Sequence, residues 1–319
     1  MKRITFIIVL LSLFLFSFCR NTNSSNEQIA KIEDVLLGAE EIPFELYKDL
    51  IYFDVTVADS VKSKFIFDTG CSYLVLDSTL YANKFGRVDT LMKASTSGAG
   101  GQMEKCHLSK GIWKYQVGDV KHKIINAAVI NLKKTIPHKD IGGIVGIPFM
   151  CDRNIIIDYY NSKIYLLNAN LKNKIIGNSA HGHYVKQSGK ALTPHIQLDL
   201  YINDSIKISG NFLLDIGSAY SISFTSKTSK EYNLEKVITD SKEHDGLAIG
   251  GSLTECLFLA DSVSVAGYTL RNFEVSYRKG DLLDRNYIGS VGNQFLKNFN
   301  VQIDFKTGDV WLAPNSSNE

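Results

Sequence analysis

Phe65-Ile66-Phe67-Asp68-Thr69-Gly70 (FIFDTG) and Phe212-Leu213-Leu214-Asp215-Ile216-Gly217 (FLLDIG) present one pattern twice, 147 residues apart: an apolar run, an aspartate, one further residue and a glycine. A carboxylate at the end of an apolar run is close to a core, where an ionised acid must be paired, hydrogen-bonded or kept protonated. The glycine lets the chain turn tightly, so that a backbone N–H can reach back to the acid. One such motif reads as a capped turn. Two of them at matching positions call for a shared purpose.

The recurrence extends well beyond the aspartates. "IYFDVTVADSVK" from Ile51 returns as "IQLDLYINDSIK" from Ile196, an offset of 145. "GAGGQMEKC", ending at Cys106, returns as "AIGGSLTEC", ending at Cys256, an offset of 150. "GGIVGIPFMCDRNIIIDYYNSKIYLL" from Gly142 returns as "IGSVGNQFLKNFNVQIDFKTGDVWLA" from Ile288, an offset of 146. Order and spacing are both kept, so the chain is an internal duplication with its insertions in loops. Within each copy, short runs rich in Val, Ile, Phe and Tyr alternate with polar residues and are broken by Gly, Asn, Asp and Ser, which predicts strands. The fold class expected is all-β, as two homologous β-barrel-like lobes related by a pseudo-twofold axis. The only helical signals are single turns after "GIPF" and "GNQF", one near Ser78 to Phe85 and one around Glu33 to Ala39. The first lobe is placed at 42–168 and the second at 184–314, with a connector at 169–183 and a short tail at 315–319.

With 319 residues, 45% apolar and 21% charged, the chain suffices for two domains that each bury a core. Its 35 Lys and Arg against 33 Asp and Glu give a net charge of +2, so no broad basic field is available to gather nucleic acid. Residues 1–19 read as an export signal: Lys2-Arg3, an apolar run from Ile4 to Phe18 broken by two serines, and Cys19. The run is shorter than the roughly 20 residues of a spanning helix, and a polar stretch follows it, so 20–41 is read as a tether. The segment resembles a bacterial lipoprotein signal, in which Cys19 would carry the lipid. It departs from that pattern in having Phe18 where a small residue is usual. The chain is therefore expected in the cell envelope, held to the membrane by an N-terminal lipid. Cys71, Cys106, Cys151 and Cys256 fit either two disulfides or buried free thiols.

If a twofold axis relates the two copies, Asp68 and Asp215 face one another. Two carboxylates sharing one site cannot both ionise, so such a pair can act as general base and general acid together. With both motifs, the duplication and the later Ile144-Val145-Gly146 and Ser290-Val291-Gly292 in view, the chain resembles the two-lobed aspartic peptidases of the pepsin and retropepsin superfamily over nearly all of residues 42–314. The shared-proton behaviour of that family's dyad is carried over by the resemblance. The resemblance implies that Asp68 and Asp215 are catalytic and that Gly70, Gly217 and Ser218 support the turns. It gives Thr69 a hydrogen-bond clasp between them, and has the Val-Gly motifs pack beneath. Ile216 has no hydroxyl for its half of the clasp, and Cys71 stands where many pepsin-like lobes have Ser or Thr. The glycines at Gly98, Gly100 and Gly101, and at Gly250 and Gly251, fall where the family has a hairpin flap over the substrate. Neither stretch opens a helix bearing Lys-Ser/Thr, which argues against a phosphate loop.

The function expected is hydrolysis of peptide bonds by a water activated between the two aspartates, in a monomer that uses neither metal nor organic cofactor. Its partners would be a peptide substrate and the membrane. The rival expectation is a weakly active or inactive relative that binds peptides or an envelope component in the same cleft, with Ile216 as its best support. His181-Gly182-His183 lacks a nearby Cys or acidic partner, so no metal site is expected there.

Overall fold

The computed structural model describes residues 32–136, 138, 140–168, 175–180, 183–186, 192–279 and 287–315, with backbone only at 183–186 and 192. The targeting segment, including Cys19, and His181 lie outside them. The described chain is all-β with a few short helices. Its strands follow the expected patterns. Leu50–Val57 buries nearly every side chain, and Val61–Asp68 begins half exposed and ends in the buried run Phe65-Ile66-Phe67. Alternation gives way to a solid apolar run where neighbours cover the strand on both faces.

The first half builds an eight-stranded sheet in the order Glu45–Tyr47, Leu50–Val57, Val61–Asp68, Ile141–Gly146, Leu74–Asp77, Val120–Ile130, Met103–Val117, Met92–Ser97. The second half repeats it strand for strand: His183–Lys186, Leu192–Asn203, Ile206–Leu214, Gly289–Val291, Ile222–Phe224, Tyr268–Arg278, Gly251–Val265, Lys242–Ala248. In each sheet the second strand also pairs with the seventh, which closes a ring and leaves fewer open edges. The expected single turns appear as helices Ile147–Met150 and Asn293–Leu296, and the other two as Ser78–Lys84 and Ile32–Leu36. Buried Asp77 caps Ser78–Lys84 by accepting from the N–H groups of Thr79 and Leu80, and its second oxygen accepts from Leu132.

A third sheet joins the halves in the order Glu40–Pro43, Lys163–Leu167, Asn154–Asp158, Phe299–Asp304, Val310–Pro314, Asn178–Ser179. At its centre Ile156 pairs with Gln302, its own counterpart at offset 146, while Ile155 faces Ile303 and Ile157 faces Val301. A residue opposite its own repeat, flanked by reciprocal pairs, is the register that a twofold axis imposes. Residues 32–41, read as part of a tether, instead belong to the folded body. Val35 is fully buried against Ile156, Tyr165 and Ile176, and Glu40–Pro43 is an edge strand of the joining sheet.

Cys106 and Cys256, which end the two glycine-rich stretches, are not structural counterparts. Leu108 pairs with Ala128 as Leu257 pairs with Ser276, so the counterpart of Cys106 is Glu255 and that of Cys256 is His107. The cause is the hairpin tips, 98–102 in one half and 249–250 in the other, whose different lengths shift the register behind them. The cysteines Cys71, Cys106, Cys151 and Cys256 are all free thiols.

Gly292 lies against the second aspartate turn so closely that a Cβ there would stand 2.3 Å from the Tyr220 carbonyl oxygen and 2.7 Å from that of Ser218. Both atoms are backbone and cannot swing aside. Gly292→Ala is expected to destabilise the chain by about 1–3 kcal/mol, seen as a lower denaturant midpoint. An unchanged midpoint would contradict this packing.

Candidate active site

Each aspartate stands where a buried strand gives way to a turn. Val61–Asp68 runs parallel to Ile141–Gly146, with Asp68 opposite Gly146, and Ile206–Leu214 runs parallel to Gly289–Val291, after which the N–H of Asp215 donates to Val291. Within the turns, the Gly70 N–H donates to Asp68 Oδ1 at 2.6 Å and the Gly217 N–H donates to Asp215 Oδ1 at 3.1 Å. The two turns sit against each other. A Cβ built on Gly217 would lie 2.4 Å from Asp68 Cγ, and one built on Gly70 would lie 3.1 Å from Asp68 Oδ1 and 3.5 Å from Asp215 Oδ1. The two carboxylates therefore border one small space, and both keep part of their surface accessible.

Thr69 ties the turns together. Its hydroxyl, fully buried, donates to the Leu214 carbonyl at 2.6 Å and accepts from the Ile216 N–H at 3.0 Å. Ile216 is fully buried and contributes packing in place of the missing hydroxyl. A residue that the sequence reading overlooked, Asn293, holds the same turn. Asn293 Nδ2 lies 2.7 Å from the Ile216 carbonyl, 3.2 Å from that of Ser218 and 2.8 Å from that of Asp49 in the other half. Its Oδ1 accepts from the Tyr159 hydroxyl at 2.8 Å. Lys297 Nζ adds a salt bridge to Asp49 at 2.8 Å, so both halves brace the turn that carries Asp215. The signal was present in the sequence, since Asn293 follows Gly292 where Ile147 follows Gly146.

Ser218 Oγ lies 3.4 Å from the Tyr220 N–H and steadies the second turn, whereas Cys71 Sγ donates to the Tyr73 carbonyl at 3.4 Å in the first. Burial, and then the charge of Asp68, push the Cys71 thiol up to about 12, so it stays protonated at neutral pH and is a poor nucleophile. The Asp68 carboxyl is pushed up to about 7, first by burial and second by Asp215, against the opposing pull of the Gly70 and Cys71 N–H groups.

The glycine-rich stretches form the tips of two hairpins, and the tips meet. Gly100 N–H donates to the Ile249 carbonyl and Gln102 N–H donates to the Gly250 carbonyl, each at 3.0 Å. Gly101 N–H donates to the Gly98 carbonyl within the first tip, and Gly251 begins the return strand of the second. Gly250 has a φ of +88° and stands where a Cβ would strike the Gln102 carbonyl oxygen at 2.3 Å, so glycine alone fits this junction. Ile249 packs against an apolar cluster that Cys71 and Ala219, the residues beside the two aspartate turns, also pack against.

The structure thus brings together Asp68, Thr69, Gly70, Asp215, Ile216, Gly217 and Ser218, with Gly98, Gly100, Gly101, Gly250 and Gly251 in the two tips. Among the described residues no group of His, Cys, Asp and Glu side chains stands close enough to hold a metal ion, and no helix is long and apolar enough to cross a membrane. No protein-family model and no curated protein matches the chain.

The raised Asp68 carboxyl makes a prediction about stability. Its pKa in the folded chain lies above the unfolded value near 3.9, so the associated stability is fully present below about pH 4 and is lost as pH rises towards 7. Asp68→Asn keeps an acceptor for Gly70 and removes that loss. Its melting temperature is expected to match the parent at pH 4 and to exceed it by a few degrees at pH 8. A difference that stays constant with pH would contradict the assignment.

Proposed function

We propose that the chain is an aspartic endopeptidase built as two lobes in the manner of pepsin and the retropepsins, exported and anchored through a lipid on Cys19. The observation that carries this reading is the meeting of Asp68 and Asp215 from equivalent turns, each held by its own glycine N–H, around one partly accessible space. The repeated strand order, the twofold register at Ile156 and Gln302 and the joined hairpin tips support it.

In this mechanism one carboxyl of the pair is ionised and the other protonated. The ionised one takes a proton from a water molecule as its oxygen attacks the scissile carbonyl carbon, and the protonated one gives its proton to the carbonyl oxygen. The tetrahedral species then collapses. Its C–N bond breaks as the leaving nitrogen takes the proton that the first carboxyl had acquired, and the second carboxyl regains its own from a hydroxyl of the species. The roles belong to the pair, because strongly coupled groups titrate together. The peptide would lie extended beneath the hairpin tips, where backbone groups can pair with its main chain.

The test is cleavage of a diverse peptide mixture between pH 3 and 8 by the purified chain in detergent, beside Asp68→Asn and Asp215→Asn. Either substitution is expected to lower turnover by at least about three orders of magnitude, as loss of one member of a catalytic unit does. Folded protein that cleaves nothing at any pH would favour the binding reading that the absent Ile216 hydroxyl suggests. Activity surviving either substitution would overturn the shared dyad.

A further inference from the structure

Glu255 is fully buried and takes no part in holding either aspartate turn. Its Oε1 accepts from Ser223 Oγ at 2.9 Å and from Arg278 Nε at 3.1 Å, and its Oε2 accepts from Ser276 Oγ at 2.5 Å. The equivalent positions of the first half are apolar. Val75 pairs with Ala128 and Ile144 as Ser223 pairs with Ser276 and Ser290, and two residues along the ladder Ile130 and Cys106 stand in for Arg278 and Glu255. Val75, Cys106, Ile130 and Ile144 form one cluster, packed against Ala219 and Ile249 from the second half. The same architecture thus closes with apolar side chains in one half, so the ion pair of the other is not a requirement of the fold. Replacing a buried ion pair by apolar residues is commonly neutral or stabilising, which leaves its retention to be explained by something other than stability.

Its position supplies the explanation. Ser223 lies on the short strand that directly follows the Asp215 turn, and Glu255 and Arg278 face each other behind the second hairpin tip. Tyr220, in the same turn, reaches Gly246 of that hairpin, where a built Cβ would stand 2.5 Å from its hydroxyl, and its ring lies 6.3 Å from that of His244. The Arg278 side chain is 15% exposed and anchored through Nε alone, and among the described residues its two terminal nitrogens make no hydrogen bond.

We propose, on the strength of the peptidase reading above, that this wall is a substrate subsite. Arg278, oriented by Glu255, offers the free edge of its guanidinium to a carboxylate of the peptide. A planar fork already held through Nε is suited to a two-point grip on a carboxylate. The substrate class is therefore a peptide with an acidic residue near the cleaved bond.

The test separates binding from turnover. Fluorescent peptides that differ only in Glu, Gln or Leu at the queried position, with amidated C-termini, are titrated against Asp68→Asn, and a Gln peptide with a free C-terminal carboxylate forms a second arm. The Glu peptide is expected to bind at least about ten-fold more tightly than the Gln peptide. That preference should vanish when Arg278→Gln is added. Because Arg278→Gln leaves Glu255 unpaired and can impair folding, Glu255→Gln with Arg278→Gln provides a neutral pair that should lose the preference equally. Equal affinity for Glu and Gln peptides, a preference that survives both variants, or a gain confined to the free C-terminus would each overturn the proposal. If Asp68→Asn shows the Glu preference while the parent chain cleaves none of the peptides, the subsite stands and the peptidase reading falls.

Discussion

Two carboxylates at one partly enclosed point form the constraint on which the rest of the structure depends. Each would repel the other if both were charged, and each loses hydration on entering the fold. The chain answers with fixed donors close by. The N–H groups of Gly70 and Gly217 reach the acids, the Thr69 hydroxyl joins the two turns, and Asn293 holds the carbonyls of the second turn in place. None of these contacts is strong alone, since a typical hydrogen bond contributes about 1 kcal/mol net. Their worth lies in geometry, because a turn that drifted would either separate the acids or bury one without a donor.

The duplicated sheets make that geometry reproducible. Each half delivers an aspartate at the end of a parallel strand pair, and the joining sheet relates the halves by pairing Ile156 with Gln302. Positions on the axis had to remain compatible with themselves. Away from it the halves were free to diverge, and they did so chemically more than topologically: Cys106 opposes Glu255 in role, Ile147 opposes Asn293, and Thr69 opposes Ile216. The asymmetry falls around a site whose frame stays symmetric. A frame of that kind can hold two like acids while presenting unlike walls to an asymmetric ligand.

Much of this was legible in the sequence. The apolar run, Asp and Gly marked both turns, alternation marked the strands, and the recurrence foretold matching strand orders. The single helical turns expected after "GIPF" and "GNQF" begin a few residues early, inside those stretches, at Ile147 and Asn293. Other features were hidden for physical reasons. The register linking Cys106 to Glu255 depends on the lengths of two hairpin tips, which shared cysteines disguised. Asn293 and Tyr159 are remote in sequence and meet only when the halves dock. Residues 32–41 look like a polar lead-in because the burial of Val35 is supplied by partners from 156, 165 and 176.

The central claim is that Asp68 and Asp215 compete for a proton in one site. The most direct measurement is a carboxyl ¹³C NMR titration of the aspartate-labelled chain, with Asp68→Asn and Asp215→Asn used to assign the two resonances. The account predicts that both resonances respond to two separate steps, the later of them above the ordinary aspartate range, and that removing either acid returns the other to a single step. Two independent titrations near the ordinary value, unchanged by removal of the partner, would contradict it.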